Sequence, residues 1–184
     1  MFGHQAWTSQ PPTQGYLTLT ALKAYEMMET EEFNLHQLIE MYRIFASDRD
    51  RILYDYKDKL DDFIGTDLGY IEEKIKLYNP KKSELYNSPK PHGGGTAYMN
   101  TVDKNGLGVS LIQSNFHGIG SRIGVGNYGF FLHNRGCGFN LDSQHPNFLK
   151  AGNKPLHTLS PTLWSKNDNL DFLHFVPLNL YIQV

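Results

Sequence analysis

The segment that could carry a catalytic group consists of three glycines, residues 93–95, followed by Thr96. A threonine at a chain terminus would carry a free α-amine, whose pKa of about 7.7–8.0 lets it accept the hydroxyl proton near neutral pH. Cleavage of the Gly95–Thr96 bond would create such a nucleophile, and the glycines would let the backbone adopt the strained geometry that cleavage requires. Composition alone favours a simpler interpretation, a glycine-rich linker that enters a hairpin.

The residues after Thr96 predict the hairpin that would hold this threonine. Strand-forming residues are frequent at residues 96–103, a Lys-Asn-Gly turn follows at residues 104–106, and a second strand is predicted at residues 107–114. Antiparallel pairing about this turn would bring the start of the first strand against the end of the second. The hairpin is therefore the element that would position any chemistry at Thr96.

Helices are predicted before the threonine and strands after it. Apolar residues recur at helical spacing in three segments, at residues 14–28, 34–46 and 67–78, and Asn34 is a predicted N-cap. Residues 79–95 contain three prolines and three glycines and are predicted to form a mobile, exposed linker. After the hairpin, strands are predicted at residues 130–132 and 156–164, with a loop at residues 140–152.

Composition argues against several classes of partner. The 184 residues include 17 Lys and Arg against 19 Asp and Glu, and the absence of a long basic run disfavours nucleic acid and anionic membranes. No apolar stretch reaches the roughly 18 residues that a membrane-spanning helix needs. Residues 1–10 lack the pattern of a signal peptide, and the single cysteine, Cys137, excludes an internal disulfide, so the compartment stays open. Asp142, His145 and His157 are too scattered to predict a metal site.

Four segments of the sequence form a pattern through their order and spacing. This combined pattern is more specific than any one of the segments alone. They are TAYMNTVDKNG at residues 96–106, VSLIQSN at residues 109–115, NRGCGF at residues 134–139 and KPLHTLSPT at residues 154–162. In this arrangement the chain resembles the γ-glutamyltransferase (glutathione hydrolase) family of N-terminal-nucleophile hydrolases, and is most similar to the branch with acylase-like members. The resemblance reaches back to about Pro11.

The resemblance implies an α+β fold, part of the four-layer αββα sandwich of this family, with helices first and antiparallel strands after them. It implies that residues 1–95 correspond to the end of a large subunit, with residues 79–95 leading to the cleavage site. Residues 96–184 would then be the first part of a small subunit. We therefore expect the chain to be a fragment that spans the junction of the two subunits.

The resemblance also assigns roles at the hairpin. In the family the precursor cuts itself before the threonine, which places self-cleavage between Gly95 and Thr96 and makes Thr96 the nucleophile. The family has a second hydroxyl residue on the return strand, hydrogen-bonded to the nucleophile, and this position falls on Ser114. A strand serine that merely faces solvent is the alternative interpretation of Ser114.

Substrate recognition is expected at three further residues, Arg135, His157 and Thr158. Where the family has an Asn, a Gln, an Asp and two Ser residues, this sequence has Phe116, Arg135, Gly138, His157 and Thr158. Loss of an acid and gain of an arginine would favour a carboxylate over an ammonium group, although a surface salt bridge would also explain Arg135. The family's Gly-Gly oxyanion motif has no counterpart after residues 161–162.

The activity that the resemblance implies is γ-glutamyl amide acyl transfer and hydrolysis, on glutathione or other γ-glutamyl compounds, through a threonine ester and without a cofactor. The acyl group would pass to water, an amino acid or a peptide, and the self-cleaved chain would form a heterodimer of large and small subunits. Two alternatives stay open. One is an acylase of the same fold that acts on glutaryl or cephalosporin-type amides, and the other is an inactive truncated remnant.

Overall fold

The computed structural model of the protein describes residues 1–83 and 94–175. Within these residues four α-helices and five β-strands follow in the order β1 Gln5–Thr8, α1 Tyr16–Met27, α2 Leu35–Ser47, α3 Arg49–Ile52, α4 Leu68–Ile75, β2 Gly94–Val102, β3 Gly108–His117, β4 Pro161–Lys166 and β5 Asn169–Phe175. Short 3₁₀ turns lie between them, at Leu60–Asp62, Ile64–Thr66, Gly126–Tyr128 and Arg135–Gly138. The combination of helices with antiparallel sheets confirms the predicted α+β class.

The helices form a layer around the main apolar core. On α1, Leu17, Ala21 and Ala24 recur every three or four residues and are buried, as the helical periodicity predicts. The predicted cap of α2 is present, since the Asn34 side chain accepts a hydrogen bond from the Gln37 N–H at 3.1 Å. Removing these apolar faces from water stabilises the layer. The other buried core residues are Tyr16, Met41, Ile44, Phe45, Ile52, Leu53, Ile71 and Leu156.

The third predicted helix is present but shorter than expected. Asp67 caps α4 by accepting a hydrogen bond from the Tyr70 N–H at 3.0 Å, and the helix ends at Ile75 rather than at Tyr78. The N–H groups of Leu77 and Tyr78 donate instead to the carbonyls three residues earlier. Such tighter bonds are common where a helix ends. The apolar periodicity of the sequence continues beyond Ile75, which is why the predicted helix was too long.

A three-stranded antiparallel sheet in the order β1–β4–β5 joins the start of the chain to its later part. Strand β1 precedes the helices, so the prediction that all strands follow the helices is wrong for this strand. Its four residues are too few for a reliable alternating pattern, and its place in the sheet depends on a partner more than 150 residues away. The Thr8 hydroxyl strengthens this pairing by donating to the Pro161 carbonyl at 2.7 Å.

The predicted hairpin is confirmed as strands β2 and β3, with Thr101 opposite Val109 and Thr96 opposite Ser114. Its two faces differ in exposure because side chains alternate along a strand. The inner hairpin face carries Thr96 and Ser114 and is half-buried at that end. The outer hairpin face is exposed along its length and consists of Ala97, Met99, Thr101, Val109, Leu111 and Gln113.

Two other strand predictions need correction. The strand expected at residues 130–132 is absent, since Phe131 forms only an isolated bridge with Gly124. Glycines with positive φ, among them Gly126 and Gly129, turn this segment too often for a continuous strand. The strand expected at residues 156–164 begins only at Pro161, because the backbone before it bonds to the segment that leads into α1.

The predicted linker at residues 79–95 is described only in part. Lys81, Lys82 and Ser83 are exposed, Gly94 and Gly95 belong to β2, and residues 84–93 lie outside the described residues. The prediction of a mobile linker therefore stays a prediction. Within residues 1–83 and 94–175, no helix is both long and apolar enough to cross a membrane.

Candidate active site on the hairpin

Thr96 and Ser114 form a hydroxyl pair where β2 and β3 meet. Their Cα atoms are register partners, and the Thr96 hydroxyl donates a hydrogen bond to the Ser114 hydroxyl oxygen at 3.0 Å. Both residues are half-buried, on the same hairpin face as Tyr98 and Ile112. The structure thus brings together the two residues that the sequence analysis expected to meet, and it turns Ser114 away from the exposed face.

A β-bulge beside this pair directs a backbone amide at it. Between the Gly94–His117 pair and the Thr96–Ser114 pair, β3 contains two residues and β2 contains one. Phe116, the second of the two, has a φ of 78°, which is strained for a bulky side chain. Its N–H donates to the Ser114 hydroxyl oxygen at 3.1 Å. Ser114 therefore accepts two hydrogen bonds and keeps its own proton to donate.

Arg135 lies beneath the bulge and is 8% exposed. The preceding residue, Asn134, attaches this part of the chain to β3, because its N–H donates to the Asn115 carbonyl at 3.2 Å and its side-chain oxygen accepts the His117 N–H at 3.1 Å. The guanidinium carbon of Arg135 lies 5.2 Å from the centre of the Phe116 ring, a cation–π distance. Burial lowers the pKa of the Arg135 guanidinium, which nevertheless stays charged near neutral pH.

Two buried nitrogen atoms in this region have no hydrogen-bond partner among the described residues, Arg135 Nη1 and His157 Nδ1. Buried polar atoms normally have partners, so each of these atoms needs an explanation. Burial, with smaller contributions from Arg135 and His133, lowers the pKa of His157 to about 4. His157 is therefore neutral at pH 7, and Arg135 is the cation of the pair.

His157 and Thr158 lie on the extended segment that leads into β4. The His157 N–H donates to the Pro12 carbonyl at 2.8 Å, and the His157 carbonyl accepts the Gln14 N–H at 3.1 Å. The Thr158 carbonyl accepts the Gln14 side-chain amide at 2.9 Å. The structure therefore brings His157 into electrostatic contact with Arg135, whereas the Thr158 carbonyl bonds to Gln14, two residues before α1.

Two parts of this site were not predicted from sequence, the Phe116 N–H and the Asn134 side chain. The bulge that aims the Phe116 N–H has no sequence signature, and its neighbouring residues Asn115 and His117 bond to Asn134 of the later segment. Asn134 did have a usable signal, since asparagine next to Arg-Gly is a residue type that often accepts backbone N–H groups in turns. In residues 1–83 and 94–175, no group of three or more His, Cys, Asp and Glu side chains could hold a metal ion.

Comparison with known sequences extends over almost the whole chain. The family profile described as gamma-glutamyltranspeptidase matches residues 1–174. The chain is 31% identical over 171 residues to the oxamate amidohydrolase proenzyme of Klebsiella pneumoniae. This match covers 88% of this chain and 31% of that protein. It is also 31% identical over 185 residues to the glutathione hydrolase-like YwrD proenzyme of Bacillus subtilis. That match covers 94% of this chain and 34% of the relative.

The fold comparison agrees with the sequence comparison. The structure matches that of a cephalosporin acylase from Bacillus halodurans with a TM-score of 0.78 and 28% identity, over 93% of this chain and 32% of that chain. The chain spans about a third of the length of the curated relatives it matches. On the family profile, which covers nearly every residue, the chain belongs to the gamma-glutamyltranspeptidase family.

Proposed function

We propose that this chain carries the nucleophile of an enzyme that transfers and hydrolyses γ-glutamyl amides, with Thr96 as the nucleophile after self-cleavage between Gly95 and Thr96. One observation carries the proposal. Thr96 directly follows Gly95, and its hydroxyl donates a 3.0 Å hydrogen bond to the Ser114 hydroxyl oxygen. Family membership supports it, as does the Bacillus subtilis relative that is named as a glutathione hydrolase-like proenzyme.

The bonds that change in the first step of self-cleavage lie at the start of β2, and water completes the reaction. The Thr96 hydroxyl oxygen attacks the Gly95 carbonyl carbon, the Gly95–Thr96 C–N bond breaks, and the Thr96 nitrogen takes the hydroxyl proton. The product is an ester between Gly95 and the Thr96 side chain. Water hydrolyses this ester, which leaves a carboxylate on Gly95 and a free hydroxyl and α-amine on Thr96.

Turnover then uses the new α-amine as the base. It takes the hydroxyl proton of Thr96 while the oxygen attacks the substrate amide carbon, and the departing amine takes that proton as the C–N bond breaks. Water or an acceptor amine attacks the resulting ester and releases the acyl group. Ser114, held by the Phe116 N–H, fixes the position of the Thr96 hydroxyl oxygen and so lowers the entropy cost of attack.

The two segments on either side of the cleavage site are proposed as large-subunit-like and small-subunit-like parts, residues 1–95 and 96–184. The pairing of β1 with β4 supports their staying together after cleavage, because those strands come from opposite sides of the cut. The product would be a heterodimer of two pieces of one precursor. The proposed co-substrates are a small γ-glutamyl compound and an amino acid, a peptide or water.

Intact-mass measurement of the purified chain tests the proposal. The wild type should give two fragments that separate between Gly95 and Thr96, and Thr96→Ala should stay whole. Ser114→Ala should slow cleavage by about 5- to 150-fold, the range for a lost hydrogen bond to a reacting group. Ser110→Ala is the matched control on the same strand and should cleave at the wild-type rate. A wild-type chain that stays uncut contradicts the proposal and favours an inactive remnant.

A second candidate function is amide acylase activity on acyl groups that carry a carboxylate but no amine, such as glutaryl or cephalosporin-type amides. The unpartnered Arg135 Nη1 favours it, and a cephalosporin acylase and an oxamate amidohydrolase are among the similar proteins. Anilides with γ-glutamyl and glutaryl groups would separate the two functions, because they share a leaving group and differ only in the α-amine.

A further inference from the structure

Phe116 has a backbone conformation that needs support from its surroundings. Its φ of 78° is unfavourable for a large side chain, and such a conformation persists only where neighbouring contacts fix it. The conformation matters because it points the Phe116 N–H at the Ser114 hydroxyl oxygen, 3.1 Å away. The groups that fix the residues on either side of Phe116 therefore decide whether Ser114 is held in place.

Asn134 bonds to both chain neighbours of Phe116. Its N–H donates to the Asn115 carbonyl at 3.2 Å, and its side-chain oxygen accepts the His117 N–H at 3.1 Å. The Asn134 carbonyl accepts the Cys137 N–H at 3.0 Å, which begins the 3₁₀ turn. One residue thus ties both ends of the bulge to the turn that follows it.

The side chain of Asn134 is the part of this connection that depends on residue type. Any residue at this position could donate its backbone N–H to the Asn115 carbonyl, but only a side chain with an acceptor of the right length can bind the His117 N–H. Leucine has a similar size and no acceptor, whereas aspartate keeps an acceptor oxygen at the same distance along the side chain. These two substitutions therefore separate the hydrogen bond from the space that the side chain fills.

We propose that Asn134 is a positioning residue for the nucleophile Thr96. Its side chain holds the bulge at Phe116 and so aims the Phe116 N–H at Ser114. Ser114 in turn accepts the Thr96 hydroxyl and fixes the position of the attacking oxygen. This role rests on Thr96 as the nucleophile, as set out above, and Asn134 acts on it only through the bulge.

The rate of self-cleavage, followed by intact mass, tests the effect of Asn134 on the reaction. Asn134→Leu should slow cleavage roughly 5- to 50-fold, and Asn134→Asp should stay within about threefold of the wild type because it keeps the acceptor. In a chain that already carries Ser114→Ala, adding Asn134→Leu should slow cleavage by less than about twofold, since the contact that Asn134 positions is already lost. Effects that multiply fully would show that Asn134 acts independently of Ser114 and would overturn the assignment.

Hydrogen exchange of the Phe116 amide tests the positioning without any cleavage. In the uncut Thr96→Ala chain, Asn134→Leu should speed this exchange at least about tenfold, whereas Asn134→Asp should leave it unchanged. An exchange rate that Asn134→Leu does not alter would overturn the assignment, whatever the cleavage rates are. If the wild type stays uncut but Asn134→Leu speeds the exchange, the proposed nucleophile is refuted and the hold of Asn134 on the bulge remains.

Asn34→Leu is the matched control. The Asn34 side chain also accepts a backbone N–H at 3.1 Å, from Gln37 at the start of α2, so the same substitution removes the same kind of hydrogen bond from the helical layer. It should lower stability in urea without slowing cleavage or speeding the exchange of the Phe116 amide. If it changed both as much as Asn134→Leu does, the effects would come from a general loss of stability and the assignment would be wrong.

Discussion

His157 is held neutral by its surroundings. Its pKa of about 4 lies below the ordinary value of 6.5, first because of burial and then because of Arg135 and His133. A proton on this imidazole would place a second positive charge beside an unpartnered guanidinium. The neutral ring can therefore accept or donate a hydrogen bond near Arg135 without adding to the positive charge of the site.

This arrangement predicts a loss of stability in acid. Between pH 6.5 and 4 the unfolded chain binds a proton at His157 that the folded chain refuses, so folding stability falls as the pH is lowered through this window. The loss is up to about 3 kcal/mol. Urea unfolding at several pH values should show a shallower pH dependence for His157→Gln than for the wild type. The carboxylates contribute equally to both proteins, so identical slopes would contradict the lowered pKa of His157.

The pairing of Thr96 with Ser114 could be predicted from sequence, whereas the unpartnered nitrogen atoms of Arg135 and His157 could not. Thr96 and Ser114 lie on two strands that a short turn with a strong Lys-Asn-Gly signal joins, so their pairing follows from local rules. The burial of Arg135 and His157 depends on segments far apart in the chain. Sequence alone therefore could not decide whether Arg135 forms a surface ion pair or binds a ligand. Arg135 is buried and forms no ion pair with the described residues, which excludes the surface ion pair.

The segment between β3 and the 3₁₀ turn Arg135–Gly138 sets the position of Arg135. It returns to β3 through a tight approach at Gly120, which has a φ of 78° and donates its N–H to the His117 carbonyl at 2.8 Å. A Cβ at Gly120 would lie 2.3 Å from the Leu132 carbonyl oxygen. Strand prediction failed in this segment because such contacts, rather than alternation, determine its path.

The close approach makes Gly120 a sensitive position. Gly120→Ala should destabilise the fold by about 2–4 kcal/mol, since it adds a backbone clash to the cost of a positive φ. Gly129→Ala is the matched control, because Gly129 has a φ of 74° and nothing within 4 Å of an added Cβ. It should cost only about 1–2 kcal/mol from the backbone conformation. Equal losses in thermal or urea unfolding would show that the approach to Leu132 has no energetic consequence.

The whole molecule is assembled by contacts that the sequence pattern could not reveal. Helix positions followed from periodicity and caps, as at Asn34, because these signals are local. The sheet order β1–β4–β5 joins residues 5–8 to residues 162–165, and nothing in either short segment specifies the other. The α+β class was therefore predictable, whereas the pairing of β1 with β4, on either side of the proposed cleavage site, was not.

The outer hairpin face predicts how the isolated chain behaves in solution. Met99 and Leu111 are cross-strand partners on this face and are 65% and 54% exposed, with Val109 beside them. A flat apolar strand surface of this kind promotes association, so the chain should self-associate as its concentration rises. The double variant Met99→Lys/Leu111→Lys should need at least about tenfold more protein to associate, because like charges would face each other on the opposing surfaces.

Sedimentation velocity over a concentration series measures this association directly. Leu77→Lys is the control, since Leu77 is 52% exposed and lies after α4, away from the hairpin. It introduces the same side chain on an apolar position and should associate like the wild type. If Leu77→Lys and the double variant lowered association equally, the effect would come from net charge rather than from the outer hairpin face. A chain that stays monomeric at every concentration would show that two strands are too small an apolar surface to drive association.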